Sequence, residues 1–375
     1  MSSSASAIAL DDAGCTSANV DAIYFANAAQ GYLDGQEMIR GQVALQDSGM
    51  LGTPIINVEN ACASGTTAVH LAWNSVASGQ SDIALVVGAE KLSHPDKYRS
   101  MAAIGTAIDR TRVEPIARQL DIDAAEFGAN HSLFMDIYAA KAQEYMAQSG
   151  ATEHDFAAVV SKNRRHAAHN ELAQFRHRLS ADDVRYSRLV SSPLTLFMCA
   201  PMGDGAASLV LCSREAADRN GIIPVEIIGT SLVSGQIDQP SSSAEERAAR
   251  SAYEQAGISP DDVDVIELHD AAAPAELAIL EEIGVCARGD APKLLAAGDT
   301  QIGGRIPVNT SGGLIARGHP IGATGCAQLV ELVTQLRGRA GKRQVTGART
   351  ALAQNAGGHL GPDPAVACVT ILQRR

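Results

Sequence analysis

The chain contains two copies of one segment. Residues 10–29, L-D-D-A-G-C-T-S-A-N-V-D-A-I-Y-F-A-N-A-A, align without a gap on residues 253–272, Y-E-Q-A-G-I-S-P-D-D-V-D-V-I-E-L-H-D-A-A. Ala13 falls on Ala256 and Asp21 on Asp264, a constant offset of 243. Each copy reads as a helix end, an Ala-Gly stop, a short loop and a V-D-x-I entry into a strand. A helical stretch follows each copy (37–49 and 275–283), then a strand (54–58 and 305–309), then a Gly/Ser-rich turn into a helix. Strands alternating with helices pair in parallel and carry the helices on their faces. Two related α/β halves are expected, residues 1–215 and 222–375.

The halves differ at their starts. A strand, Val225–Val233, and a helix, 243–256, precede the second copy. Only twelve residues precede Ala13, with room for part of a helix and no strand. Through a truncated start or a true loss, the first sheet is expected to lack its opening strand, which would leave backbone polar groups of its neighbours exposed. Ile83–Val87 reads as a further buried strand, with Ala206–Leu211 as its antiparallel companion. Residues 92–190 between them are polar, with helical stretches at 131–148 and 153–169. This is an insertion lying over one end of the sheets, where active sites of such folds gather.

Hydrophobic residues make up 46% of the 375, enough for a large core. The net charge of −12 argues against nucleic-acid binding, which needs a basic face. Seven scattered cysteines without a C-x-x-C pair fit a reducing compartment. No apolar run reaches the ~18 residues of a membrane span. The N-terminus lacks a signal-peptide pattern and the C-terminus is not of the S-K-L kind, so a cytoplasmic protein is expected.

Two turns carry the chemistry. Cys62 sits where the strand Ile55–Val58 runs into a small-residue turn and a helix. The helix N-terminus there favours a thiolate. Such a cysteine is either a nucleophile or an ordinary buried small residue. At the matching junction of the second half, His319 is pinned between Gly318 and Pro320, ahead of a helix with Leu329, Val330, Val333 and Leu336 on one face. Related halves bring the two junctions together, and imidazole beside thiol is the minimal activated nucleophile. Glu267-Leu268-His269-Asp270 and the Gly turn Gln354–His359 converge on the same end. Such turns present backbone N–H groups, as an oxyanion hole requires. The densest basic cluster, Lys162, Arg164 and Arg165, reads as a solvated helix face or as a contact for a nucleotide phosphate.

N-A-C-A-S-G (60–65), G-G-x-x-x-x-G-H-P-x-G-A-T-G (312–325) and the duplicated halves resemble the thiolases. P-L-T-L-F-M-C-A-P-M-G-D-G-A-A (193–207), E-L-H-D (267–270) and L-R-G-x-A-G-K-R-Q-V (336–345) are similar to the sterol-carrier-protein type and its bacterial lipid-transfer relatives. The resemblance implies an α/β fold of five layers, α/β/α/β/α, with a loop domain over the site and a dimer or tetramer. It implies acyl-CoA substrates, no permanently bound cofactor or metal, and for some relatives a small OB-fold and zinc-ribbon partner. By resemblance Cys62 is the acylated nucleophile and His319 its activator. His269 orients a water in one oxyanion hole, and the N–H groups of Cys62 and Gly357 form the other.

The family's second thiol is missing. Its C-x-G turn is here Q-N-A-G (354–357), and the H-D-C-F of the sterol-carrier type is H-D-A-A (269–272). His359 remains as a proton donor, or as a plain loop residue. The expected activity is thiolytic cleavage of a 3-oxoacyl-CoA or acyl transfer. The alternative is a non-classical subunit, a retro-aldolase or a lipid- or acyl-CoA-binding protein, working with the OB-fold partner.

Overall fold

A computed structural model describes residues 1–123, 125–128, 131–219, 221, 223–237 and 241–374; position 222, the expected start of the second half, lies outside them. Among the described residues ten strands are present: β1 Ala22–Ala26, β2 Ile55–Val58, β3 Ile83–Lys91, β4 Leu189–Ser191, β5 Leu194–Thr195, β6 Asp204–Cys212, β7 Glu226–Ser234, β8 Val265–Glu267, β9 Thr350–Gly357 and β10 Val366–Gln373. They form two four-stranded sheets, β2-β1-β3-β6 and β7-β10-β9-β8, and a small β4-β5 ribbon. β1 pairs in parallel with β2 and β3, and β6 returns antiparallel along β3 from Ile83↔Cys212 to Lys91↔Asp204. In the second sheet β8 is parallel to β9, and β10 lies antiparallel to both β9 and β7.

The duplication is visible in this order: β1, β3 and β6 take the places of β8, β9 and β10. Two differences remain. Segment 305–309 makes a single parallel bridge, Ile266↔Val308, in place of a strand. Among the described residues no strand of the first sheet matches β7, and β6 is its outer strand.

Six helices set the layers: α1 Ser2–Asp12, α2 Ser64–Ala77, α3 Leu133–Ser149, α4 Glu153–Ala167, α5 Ala244–Ala256 and α6 Thr324–Leu336. The central pair, α2 and α6, packs between the sheets, and α1 and α5 cover outer faces. Both halves therefore share one apolar core, in which Ala68, Val69 and Ala72 of α2 and Leu329, Leu332 and Leu336 of α6 meet Tyr24, Val86, Val265 and Ala353. Apolar side chains at three- and four-residue spacing bury one face of α6, and a second face buries Gln328, Glu331 and Gln335 with their hydrogen bonds made. No helix among the described residues is long and apolar enough to cross a membrane.

Candidate active site

Cys62 lies in a 3-10 turn, Ala61–Ala63, that leads into α2. Ala61 is held at φ 49°, a left-handed conformation that strains any residue with a Cβ. The strain is pinned by hydrogen bonds: Ala61 N–H donates to Glu59, Asn60 N–H donates to Ser64 Oγ, and Ser64 Oγ donates to Ala61 O. The end of β9 presses on this turn. A Cβ at Gly357 would stand 2.3 Å from Asn60 O and 3.0 Å from Cys62 N, so only glycine permits the approach.

His319 precedes the matching 3-10 turn, Ile321–Ala323, which leads into α6. Its Nδ1 lies 2.7 Å from Thr324 Oγ1, and that hydroxyl donates to Pro320 O. With the hydroxyl proton committed, Nδ1 carries the imidazole hydrogen and donates it, which leaves the Nε2 lone pair for a reacting partner. The His269 ring stands edge-on to His319 at 5.2 Å between centroids. Its Nε2 is buried and has no protein partner, so it is free for a ligand oxygen or a water. Ligating atoms of Cys62, His269 and His319 all lie within 4.8 Å of one another, a convergence that also makes them the described set most able to hold a metal ion.

Protonation follows from burial. The Cys62 thiol is pushed up to about 12, first by desolvation and then by the Glu90 carboxylate. The N–H groups of Gly358 and Cys62 itself face the sulfur and pull the other way, without prevailing. The thiolate expected from the helix start is thus overruled: this is a protonated thiol at neutral pH. Burial, with His269 and Arg317 nearby, holds His319 well below the usual imidazole range, and burial takes His269 to about 4. Both rings are neutral, so His319 is a base ready to accept the thiol proton.

Beside the sulfur itself stand the N–H groups of Gly358 and Cys62, while Gly357 gives the close approach of β9 to the turn.

The trio opens on a cavity of about 620 Å³. Met101, Ile104, Phe134 and Tyr138 of the 92–190 insertion line its wall, so the insertion does shape the site. Ala271 and Ala356 line it too, without a proton to give. His359 and Cys199 are among the protic side chains on the wall, with Tyr138 and Glu282. His359 is lowered to about 4 by burial and then Lys141. Cys199 is raised to about 12 by burial and sits opposite Ala272 in a one-pair bridge. Sequence reasoning passed over Cys199 because only the chain's return past Ala271 brings it here.

The basic cluster is a second correction. Lys162 is fully buried and its Nζ lies 2.6 Å from Glu276, with a further bond to Val308 O. Arg164 stacks on the Phe175 ring at 4.5 Å, and Arg165 donates to Ser161 and Gln301. None of the three lines the cavity, and Lys162 has no solvent path to a phosphate. Lys162 is scaffolding: its partner Glu276 also accepts from Asn163 and Asn309, and Asn163 reaches Asp270, beside His269, whereas Arg165 is exposed. Cations that do line the cavity are Arg40, Lys141 and Arg188, too scattered in sequence to form a motif.

Glu90 was also missed. At the end of β3 it accepts from Ala28 N, Ala29 N, Asn27 Nδ2 and Gly322 N, so it joins the first half to the His319 turn. The single available signal was an acid closing a run of buried strand residues.

Fold and site together define an α/β protein with a Cys–His pair at the junction of duplicated halves. Residues 1–192 match the thiolase N-terminal domain family and residues 211–374 the thiolase C-terminal domain-like family, and the chain belongs to the thiolases. It is 37% identical over 357 residues to acetyl-CoA acetyltransferase of Methanothermobacter thermautotrophicus, covering 93% of this chain and 88% of that protein. It is 36% identical over 345 residues to sterol carrier protein 2 of Rattus norvegicus, covering 88% of this chain and 61% of that one. The chain thus spans about three fifths of the length of that relative. Among solved structures, an Ltp2-ChsH2(DUF35) aldolase superimposes with a TM-score of 0.79 at 25% identity, covering 100% of this chain and 92% of that one.

Proposed function

We propose that this chain is an acyl-CoA acyltransferase working through an acyl-Cys62 intermediate. The observation that carries this is the convergence of Cys62, His269 and His319 within 4.8 Å at one cavity. His319 Nε2 takes the thiol proton as the sulfur attacks a carbonyl carbon, so the costly buried thiolate never accumulates. The oxyanion that develops faces the N–H groups of Cys62 and Gly358 in one geometry and the two imidazoles in the other. In transfer, the C–S bond of the thioester breaks and CoA leaves as its thiol, taking the proton from His319. In thiolysis of a 3-oxoacyl-CoA, the C2–C3 bond breaks and its electron pair leaves as an enolate, protonated at C2 by a group on the wall. Cys199 and His359 are two of the protic side chains there. A CoA thiol then attacks acyl-Cys62 and carries the acyl group away.

The test is a rapid-mixing experiment with a 3-oxoacyl-CoA and with acetyl-CoA. A burst of free CoA or enolate-derived acetyl-CoA, stoichiometric with enzyme and lost in Cys62→Ala, is expected; its absence with every acyl-CoA tried contradicts the reading.

The second reading is a retro-aldolase acting with an OB-fold partner. The likeness to the aldolase structure and the thiol-free positions Ala271 and Ala356 favour it. Retro-aldol cleavage of a 3-hydroxyacyl-CoA that survives Cys62→Ala would select this reading over the first.

A further inference from the structure

We infer that Glu245 and Glu282, at the end of the cavity away from Cys62, select acyl groups with an apolar body and a terminal hydroxyl, a specificity that rests on the acyl-CoA reading above.

The helix Ala273–Glu282 starts four residues after His269 and runs along the cavity. Pro274, Ala275, Ala278, Ile279 and Glu282 all line it, a helical spacing that puts them on one face. At 1.5 Å per residue that face leads about 12 Å from the catalytic end, apolar until it reaches Glu282. Opposite, Tyr138 and Lys141 of α3 and Glu245 of α5 complete the wall. Tyr138 is within electrostatic reach of both Cys62 and Glu245, so nucleophile and acids belong to one stretch of wall.

Glu245 is only 8% exposed, yet among the described residues its carboxylate has no hydrogen-bond partner beyond its own backbone N–H. Glu282 has the Ser243 hydroxyl. The acids beside them are used by the fold. Glu246 pairs with Arg288, and Glu281 accepts from Tyr145 and from Ala291 N. The two that face the cavity are costly instead. Burial raises both carboxyls, and the charge of Glu245 raises Glu282 further. Glu282 also ends its helix, where the macrodipole disfavours negative charge. Perturbed acids in the cavity of a nucleophile mark a place that works on a ligand.

Charge balance says which ligand. Lys141 acts on both acids ahead of Arg247 and Arg288, which pair with Asp363 and Glu246. With one carboxylate offset by Lys141 and the other carboxyl holding its proton, no charge is left to hold an ammonium group. What the pair offers is one acceptor and one donor, the complement of a hydroxyl. The same acids repel CoA phosphates, which leaves the CoA end to the parts of the wall that carry Arg40 and Arg188.

The experiment measures calorimetric binding to Cys62→Ala protein, so that the readout needs no acylation. Acyl-CoAs from hexanoyl to tetradecanoyl are compared with their ω-hydroxy forms. At one or more lengths the hydroxylated form should bind roughly 10- to 100-fold tighter, the worth of a hydrogen bond to a charged group. Glu282→Leu should bring the two forms to within about twofold and raise the melting temperature, because the lost hydrogen bond served the ligand and the lost acid burdened the fold. Glu282→Gln, which keeps a donor and an acceptor, should retain a preference. Equal binding of the two forms at every length, a preference unmoved by Glu282→Leu, or tighter binding of ω-amino forms overturns the inference. Failure of every acyl-CoA to bind overturns the acyl-CoA reading and this inference with it, whereas binding without discrimination overturns this inference alone.

Discussion

Cys62 and His319 form a pair in which neither partner is charged at rest. A thiol at about 12 beside a neutral imidazole predicts a distinctive alkylation profile. The iodoacetamide rate at Cys62 should climb without a plateau to about pH 10, whereas an ordinary exposed thiol levels off above ~9. A plateau near neutrality would mean a preformed thiolate. His166 supports a second prediction. It is buried, its Nδ1 lies 3.0 Å from Asn309 O and its Nε2 accepts from Ile302 N, and burial brings it down to about 3. A lowered folded value contributes stability that is present above the unfolded value near 6.5 and lost as pH falls toward the folded one. His166→Asn should therefore be less stable than wild type at pH 7. The gap should narrow by up to ~1.4 kcal/mol per pH unit below ~6.5, measured by urea unfolding. A gap independent of pH would contradict the neutral imidazole. At this scale Cys62, His269 and His319 were legible because each sits in a compact motif. The thiol's protonation was not, since it comes from burial in the folded chain and from the charge of Glu90, a carboxylate distant in sequence.

Elements behave differently. α4 has the basic residues of a surface helix in its sequence, yet it buries Lys162, Asn163, Arg164 and His166. Local pattern signals amphipathicity and cannot show that a carboxylate, Glu276, waits on the facing helix. Lys162→Met should cost about 3–5 kcal/mol, because it strands the buried Glu276 without its counter-ion. Adding Glu276→Gln should recover much of that, as the amide oxygen still accepts from Asn163 and Asn309. Chemical denaturation of the single and double variants decides it, and additive losses would refute the pairing. Segment 305–309 shows the same limit in reverse. Its strand-like sequence is used in one bridge, and its Val308 O and Asn309 serve Lys162, Glu276 and Leu268 N instead.

For the whole molecule, the duplication did most of the work. It led to the reading of alternating strands and helices in two related units, while the antiparallel β6 was legible from its own apolar run. What it could not supply was how tightly the halves meet. A Cβ at Gly325 would lie 2.6 Å from Thr66 N, so the first turns of α6 and α2 touch backbone to backbone. Gly325→Ala should destabilise the fold by about 1–3 kcal/mol. By moving His319 from Cys62 it should also slow acylation by more than ~tenfold in protein that remains folded. Stability loss with unchanged acylation would show that the contact serves packing alone.

The central claim, that Cys62 becomes acylated through His319, is tested most directly by intact mass after incubation with acetyl-CoA and longer acyl-CoAs. Wild type should gain one acyl group, mapped to Cys62, with Cys62→Ala gaining none and His319→Ala gaining it far more slowly. An unmodified wild-type mass, or an adduct that persists in Cys62→Ala, would contradict it.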